Sequence, residues 1–262
     1  MTRKTAKNQS RNRKNAVLTG HSRGSSQGMP SLFRPVIGLA MERTIPYADD
    51  VFWNLIGLAQ QGYPFIRQPT VPIDLARNRF AKYLLDAGRE YTHLIILDID
   101  HVHPPDLVRK FAVHVEKHPD HLVIGALNFR RGQPYDPLAF IYEGEDVYSV
   151  ATWEPGEIVR VDALGTNEVC IHRSVFEALP YPWFFRDYSV QTEDGTGLSE
   201  DLVFCRALRR AGIEIWLDTS ISNDHLINGK INEAVFRAYM AQFVEVKENG
   251  RNKETSQDST RA

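Results

Sequence analysis

The stretch THLIILDIDHVHPP, Thr92 to Pro105, sets four consecutive apolar residues, Leu94 to Leu97, before two carboxylates one residue apart, Asp98 and Asp100. Two histidines, His101 and His103, follow. A short apolar run that ends in turn residues predicts a strand buried on both faces. The carboxylates then fall at its C-terminal end, the edge at which open α/β sheets bind ligands. Acids at that edge either hold a metal, take part in a reaction, or merely cap the next turn. Two of them with histidines alongside favour chemistry over capping.

Two chemistries use an Asp-x-Asp pair at a strand end. In one, the carboxylates hold a divalent cation, Mg²⁺ or Mn²⁺, that neutralises the diphosphate of a nucleotide-sugar. In the other, of the haloacid-dehalogenase-type phosphatases, Asp98 is the nucleophile and Asp100 its acid/base partner. The phosphatase pattern places its pair on the first strand and needs a later acidic pair at the end of another apolar strand. Here two strand–helix units precede the pair, and the later acids, Glu200 and Asp201, follow TEDGTGLS and open a helix. That order counts against the phosphatase.

The other candidates have competing roles. Glu200 and Asp201 behind Ser199 suit any helix N-terminus, where carboxylates meet the macrodipole and free amides. Adjacent helical residues point roughly 100° apart, so the two cannot face one substrate atom equally. The apolar stripe of Leu202, Cys205 and Leu208 does not choose between them. Arg77 lies early in a helix whose apolar face is Ile73, Ala76, Phe80 and Leu84, and solvent is the usual surroundings of such an arginine. His225 sits in a polar segment read as a loop, where a lone histidine is a surface group, yet imidazole also suits Mn²⁺ beside carboxylates. Trp183 and Phe184 read as core, with an aromatic wall for an acceptor sugar as the sharper alternative.

The elements that must position these residues alternate regularly from Pro35. PVIGLAM is a strand, ADDVFWNLIGLAQQG a helix ending at Gly62, YPFIRQ a short strand, and PIDLARNRFAKYLLDAG a helix stopping at Gly88. After the opening strand come the helix PPDLVRKFAVHVEKH and the strand HLVIGAL. Alternation of this kind predicts a mostly parallel sheet with helices on both faces. The second half gives short β-like runs, PLAFIYEG, VYSVATW and EIVRVDALG, consistent with an antiparallel addition. EVCIHRSVFEALP reads as a strand entering a short helix, YPWFFRDYSVQTEDGTG as a loop, SEDLVFCRALRRAG as a helix capped by Ser199, IEIWLD as a strand and INEAVFRAYMAQFVEV as a terminal helix.

The chain has 262 residues, 42% hydrophobic and 24% charged, with a formal net charge of -2. These values describe a globular protein and exclude attraction of the whole surface to nucleic acid or anionic membrane. Residues 1–34 carry many Lys and Arg and no acids, and read as a disordered basic arm, the one segment suited to nucleic-acid contact. No apolar run reaches the ~18 residues of a membrane span, and the arm lacks the apolar stretch of a secretory signal. Cys170 and Cys205 without motif spacing read as buried thiols in a reducing cytoplasm. Residues 247–262 read as a disordered tail, which leaves one domain over 35–246.

With these residues in view, the chain from Pro35 to Leu226 resembles the GT-A-fold glycosyltransferases, especially the short family-2-like enzymes of bacteria and phages. The resemblance rests on ARNRFAKYLLD, HLIILDIDHVHPPDLV, VDALGTNEVCIHRSVFEALPYPWF, SEDLVFCRALRRAGIEIWLD and the histidine of NDHL, in that order. It implies a Rossmann-like mixed sheet and a metal-dependent transfer of sugar from a nucleotide-sugar donor to an acceptor hydroxyl of unspecified kind. Asp98, Asp100 and His225 would hold Mn²⁺ or Mg²⁺. Met41, Glu42, Arg43, Arg77 and Asp98 would meet the donor, and Gly165, Thr166 and Trp183 the acceptor. Asp201 would be the base, with Glu200 orienting the acceptor or the first-turn amides. The alternatives are the phosphatase and a non-catalytic nucleotide-sugar-binding module.

Overall fold

The computed structural model describes residues 32–41, 49–69, 71–145, 147–190, 192, 195–227 and 229–241. Strands β1 (Pro35–Met41), β2 (Phe65–Pro69) and β3 (His93–Asp98) alternate with helices α1 (Asp49–Gln60) and α2 (Ile73–Asp86). A two-residue strand β4 (His101–Val102), helix α3 (Leu107–Lys117) and β5 (Val123–Leu127) complete the first half. The second half holds β6 (Ala139–Gly144), β7 (Val147–Val150), β8 (Ile158–Val161), β9 (Ala163–Leu164), β10 (Glu168–His172) and α4 (Arg173–Ala178). It closes with α5 (Glu200–Arg210), β11 (Ile215–Ser222), β12 (Asp224–Ile227), β13 (Gly229–Ile231) and a helical stretch over 233–241.

The main sheet has the order β2-β1-β3-β10-β5-β11-β8. β2, β1, β3, β5 and β11 run one way, while β10 and β8 run against their neighbours. The fold is therefore α/β with a mixed, mostly parallel sheet. Because successive side chains of a strand face opposite ways, the apolar run of β3 is divided between two cores. Leu94 and Ile96 pack with Phe80 and Leu84 of α2, Phe176 of α4 and Phe204 and Leu208 of α5. Ile95 and Leu97 pack with Leu58 of α1 and Phe111 and Val115 of α3. Four buried apolar residues in a row are what a strand covered on both faces requires.

The second half differs from a simple addition to the sheet. β7, β6 and β9 form a separate three-stranded antiparallel sheet, and β13, β12 and β4 another. β10 enters the middle of the main sheet, so its first residues lie at the same edge as the C-terminal ends of β3 and β5. The core also begins before Pro35. Phe33 is buried, and the Arg34 guanidinium donates to the carbonyls of Glu90 and Arg89, both at 2.9 Å. Residues 1–31 of the expected basic arm and the tail 247–262 lie outside the described residues. Both cysteines are free and buried. Among the described residues no helix is long and apolar enough to cross a membrane.

Candidate functional site

Two polar clusters meet at the turn that follows β3. The first is built on Arg77, which α2 presents toward the first turn of α5. Its guanidinium donates to Glu200 Oε1 at 2.9 Å and to Asp201 Oδ1, and lies 3.5 Å from Asp98 Oδ2. Only 2% of Arg77 is exposed. Burial would discharge it, but the charges of Asp201, Asp98 and Glu200 outweigh that and hold it cationic. Thr166, fully buried just before β10, donates its hydroxyl to the same Asp201 Oδ1. One oxygen of Asp201 is thus pinned by two donors, and its Oδ2 has no protein partner among the described residues. Glu200 differs: its Oε2 faces Arg186 at 3.7 Å, so both of its oxygens meet guanidinium groups. Burial, then the Asp201 charge, push the Glu200 carboxyl upward. Ser199 caps α5, its side chain accepting from Leu202 N–H at 3.5 Å.

The second cluster is built on a short β-ladder. His101 of β4 and His225 of β12 are direct cross-strand partners, so their side chains share one face and their rings stack at 4.0 Å. His225 Nδ1 lies 2.7 Å from the Phe129 carbonyl, which can only accept, so Nδ1 carries the hydrogen and Nε2 presents its lone pair. That nitrogen is 3.5 Å from Asp100 Oδ2. His101 Nδ1 donates to Asp100 Oδ1 at 2.8 Å, and Asn167 Nδ2 lies 2.7 Å from His101 Nε2. Burial pulls the His101 imidazole down to about 4, against the pull of Asp100. Burial also raises the Asp100 carboxyl, but the hydrogen bond from His101 prevails and holds it well below the usual carboxylate range.

Beneath both clusters, His103 Nε2 donates to the Asp98 carbonyl at 3.0 Å while Nδ1 lies 2.8 Å from Glu168 Oε1. Asn223 donates to Glu168 Oε2 at 2.8 Å and to Asn128 Oδ1. This buried network ties the ends of β3, β5 and β11 to the start of β10, which fixes the Asp98–Asp100 turn.

The fold is similar to that of A197 from STIV. Its crystal structure matches with a TM-score of 0.54 and 14% identity over 74% of this chain and 86% of that one. At that identity the likeness is one of fold. Weaker matches include the inositol-1-phosphate CTP transferase from T. maritima, at a TM-score of 0.42 and 11% identity over 80% of this chain and 94% of the other. Apo UDP-glucose pyrophosphorylase matches at 0.37 and 10% over 70% and 64%. No protein-family model matches the chain, and no curated protein matches it in sequence.

Among the described residues, the group whose ligand atoms converge as a metal requires is Asp100, His101 and His225. The donor set fits a divalent cation: a low-lying carboxylate and an imidazole nitrogen aimed by a main-chain carbonyl, the arrangement that orients histidine ligands. Asp98, expected as a third ligand, is turned into the Arg77 cluster instead. β3 ends at Asp98 and residues 99–100 form a turn, so the two-residue period that would have aligned both carboxylates is broken. Burial, reinforced by the charges of Asp100 and Asp201 and opposed by Arg77, pushes the Asp98 carboxyl up to about 7.

Other expectations also change place. Arg77 is neither solvated nor open to a phosphate, because three carboxylates enclose it. Gly165 and Thr166 are buried, and the Thr166 hydroxyl serves Asp201 rather than an acceptor. Trp183 belongs to the core: its ring N–H meets the carbonyls of Phe176 and Leu179, each at 3.1 Å. His225 stands in a strand and not a loop. Met41 ends β1, while Glu42 and Arg43 lie outside the described residues. Arg131, which sequence reasoning missed, donates to Asp100 Oδ2 and, at 2.7 Å, to His225 Nε2. No local sequence signal marks it.

Proposed function

We propose that the chain is a metal-dependent glycosyltransferase that moves a sugar from a nucleotide-sugar donor to an acceptor hydroxyl. The observation that carries this reading is Asp201. It has one oxygen pinned and one free, beside a turn whose Asp100 and His225 suit Mn²⁺ or Mg²⁺. A bound cation supplies charge neutralisation for the departing nucleoside diphosphate. Asp201 Oδ2 takes the proton of the acceptor hydroxyl as that oxygen attacks the anomeric carbon. Arg77 and Thr166 keep the carboxylate aimed while this occurs, and Glu200 fixes Arg77. The phosphatase alternative needs Asp98 as an ionised nucleophile, which the burial that raises its carboxyl disfavours.

The test is nucleotide-sugar hydrolysis and transfer assayed with and without Mn²⁺. Asp100→Ala is expected to abolish the Mn²⁺-stimulated rate in a folded protein, and full activity in that variant removes the metal assignment. Mg²⁺-dependent hydrolysis of a generic phosphate ester that vanishes in Asp98→Asn, with no nucleotide-sugar binding, would establish the phosphatase instead.

A further inference from the structure

Arg131 stands where a metal ion would. Its guanidinium donates to Asp100 Oδ2 and to His225 Nε2, two of the donor groups that converge in the candidate metal site. Guanidinium remains charged at any physiological pH, so it and a divalent cation cannot share those lone pairs. The way in which Arg131 is held favours departure. It lies on a surface excursion whose base is closed by the Phe129–Pro137 bridge and by hydrogen bonds from Arg130 N–H to Asp136 O (2.9 Å) and Leu138 N–H to Asn128 O (2.8 Å). Its side chain is 56% exposed, whereas that of Asp100 is 11% and that of His225 8%. The ligands are therefore fixed and buried, while the cation between them is already largely in water and can swing out without leaving a buried charge of its own.

We propose that Arg131 is a built-in counter-cation of the metal site: it holds Asp100 and His225 in ligand geometry in the metal-free chain, and a divalent cation enters by displacing it. The inference rests on the metal reading of the site and adds a residue that sets how tightly the metal binds. A ligand pair with no cation would leave the Asp100 charge uncompensated.

The experiment measures Mn²⁺ binding directly, by titration against the paramagnetic resonance of free Mn²⁺, with no nucleotide or sugar present. Wild type, Arg131→Met, Asp100→Ala and the double variant are compared, with melting temperatures in chelator and in Mn²⁺. Methionine keeps the length of the side chain and removes its charge. Arg131→Met is expected to bind Mn²⁺ on the order of tenfold more tightly, to melt lower than wild type in chelator, and to gain more from Mn²⁺. Binding by the variant where wild type shows none supports the same conclusion in its strongest form. Equal or weaker binding in Arg131→Met, with Asp100→Ala still abolishing it, overturns the role of Arg131 and leaves the metal site standing. Binding in none of the proteins, or binding indifferent to Asp100→Ala, overturns the metal site and the role of Arg131 together.

Discussion

The adjacent acids at the start of α5 are distinguished by their partners more than by their direction. Arg77 and Thr166 both use Oδ1 of Asp201, leaving a second oxygen for a substrate proton, whereas both oxygens of Glu200 face arginines. Asp201→Asn is therefore expected to lose transfer by a factor of about 10² or more, the usual contribution of a general base, with donor binding nearly unchanged. Glu200→Gln should lose less in rate; the reverse ranking of rates would make Glu200 the base. Asp98 gives a prediction in pH. Its folded pKa of about 7 lies above the ordinary ~3.9. At low pH both states hold the proton, so the favourable contribution of the neutral acid is fully present below about 4 and is lost as pH rises through about 7. Asn mimics the neutral acid at every pH. The stability of Asp98→Asn relative to wild type should thus rise by about 1–2 kcal/mol between pH 4 and pH 8, a figure discounted for the 22% exposure of the Asp98 side chain. Chemical denaturation at the two pH values measures it, and an unchanged difference would show that Asp98 titrates alike in the folded and unfolded protein.

At the level of elements, the site depends on two pairings far apart in sequence. β4 with β12 sets His101 beside His225, and β10 sets Thr166, Asn167 and Glu168 at the edge where β3 ends. The first half of the fold was legible because β1, β3 and β5 are largely apolar runs and its helices have Pro or Gly near their ends; β1 occupies PVIGLAM as read. β12 was not legible, since four residues, DHLI, carry no measurable alternation and their stability comes from the ladder. Asp98 and Asp100 were legible as a pair but not as members of separate clusters, because the turn between them is imposed by His103 and Glu168. Helix α2 shows how packing reaches the chemistry. A Cβ on Gly38 of β1 would lie 2.6 Å from the Phe80 ring, one helical turn beyond Arg77. Gly38→Ala should cost about 1–3 kcal/mol by overpacking. It should lower transfer as well, because the shift of α2 carries Arg77 away from Asp201. Adding Phe80→Leu should recover both, and a Gly38→Ala protein as stable and active as wild type would show that the contact is loose.

For the whole molecule, the sheet edge joins groups from both halves of the chain: Arg77, Asp98, Asp100 and His101 from the first, Thr166, Glu200, Asp201 and His225 from the second. On this edge the carboxylates meet Arg77 and the Asp100–His225 pair meets Arg131, while Asp98 Oδ1 and Arg77 Nε are buried without a hydrogen-bond partner among the described residues. The cost of assembling so many buried ionisable groups is borne by the two cores on either side of the sheet. A ligand that carries its own charges should therefore stabilise the assembly only as a matched set. Mn²⁺ alone must displace Arg131, and a nucleotide-sugar alone brings a diphosphate to an edge rich in carboxylates. Together they supply cation and anion to the same place. At a hundred times its dissociation constant a ligand adds about 2.7 kcal/mol, which for a domain of roughly 200 residues raises Tm by about 5–10 °C. The expected pattern in a thermal-shift screen is a small effect of Mn²⁺, a smaller one of nucleotide-sugar, and a joint shift larger than their sum for the matching nucleotide. Asp100→Ala should remove the joint shift and keep the melting transition. Strict additivity across every nucleotide tried would mean that cation and donor do not meet at this edge, and the transferase reading would fail with it.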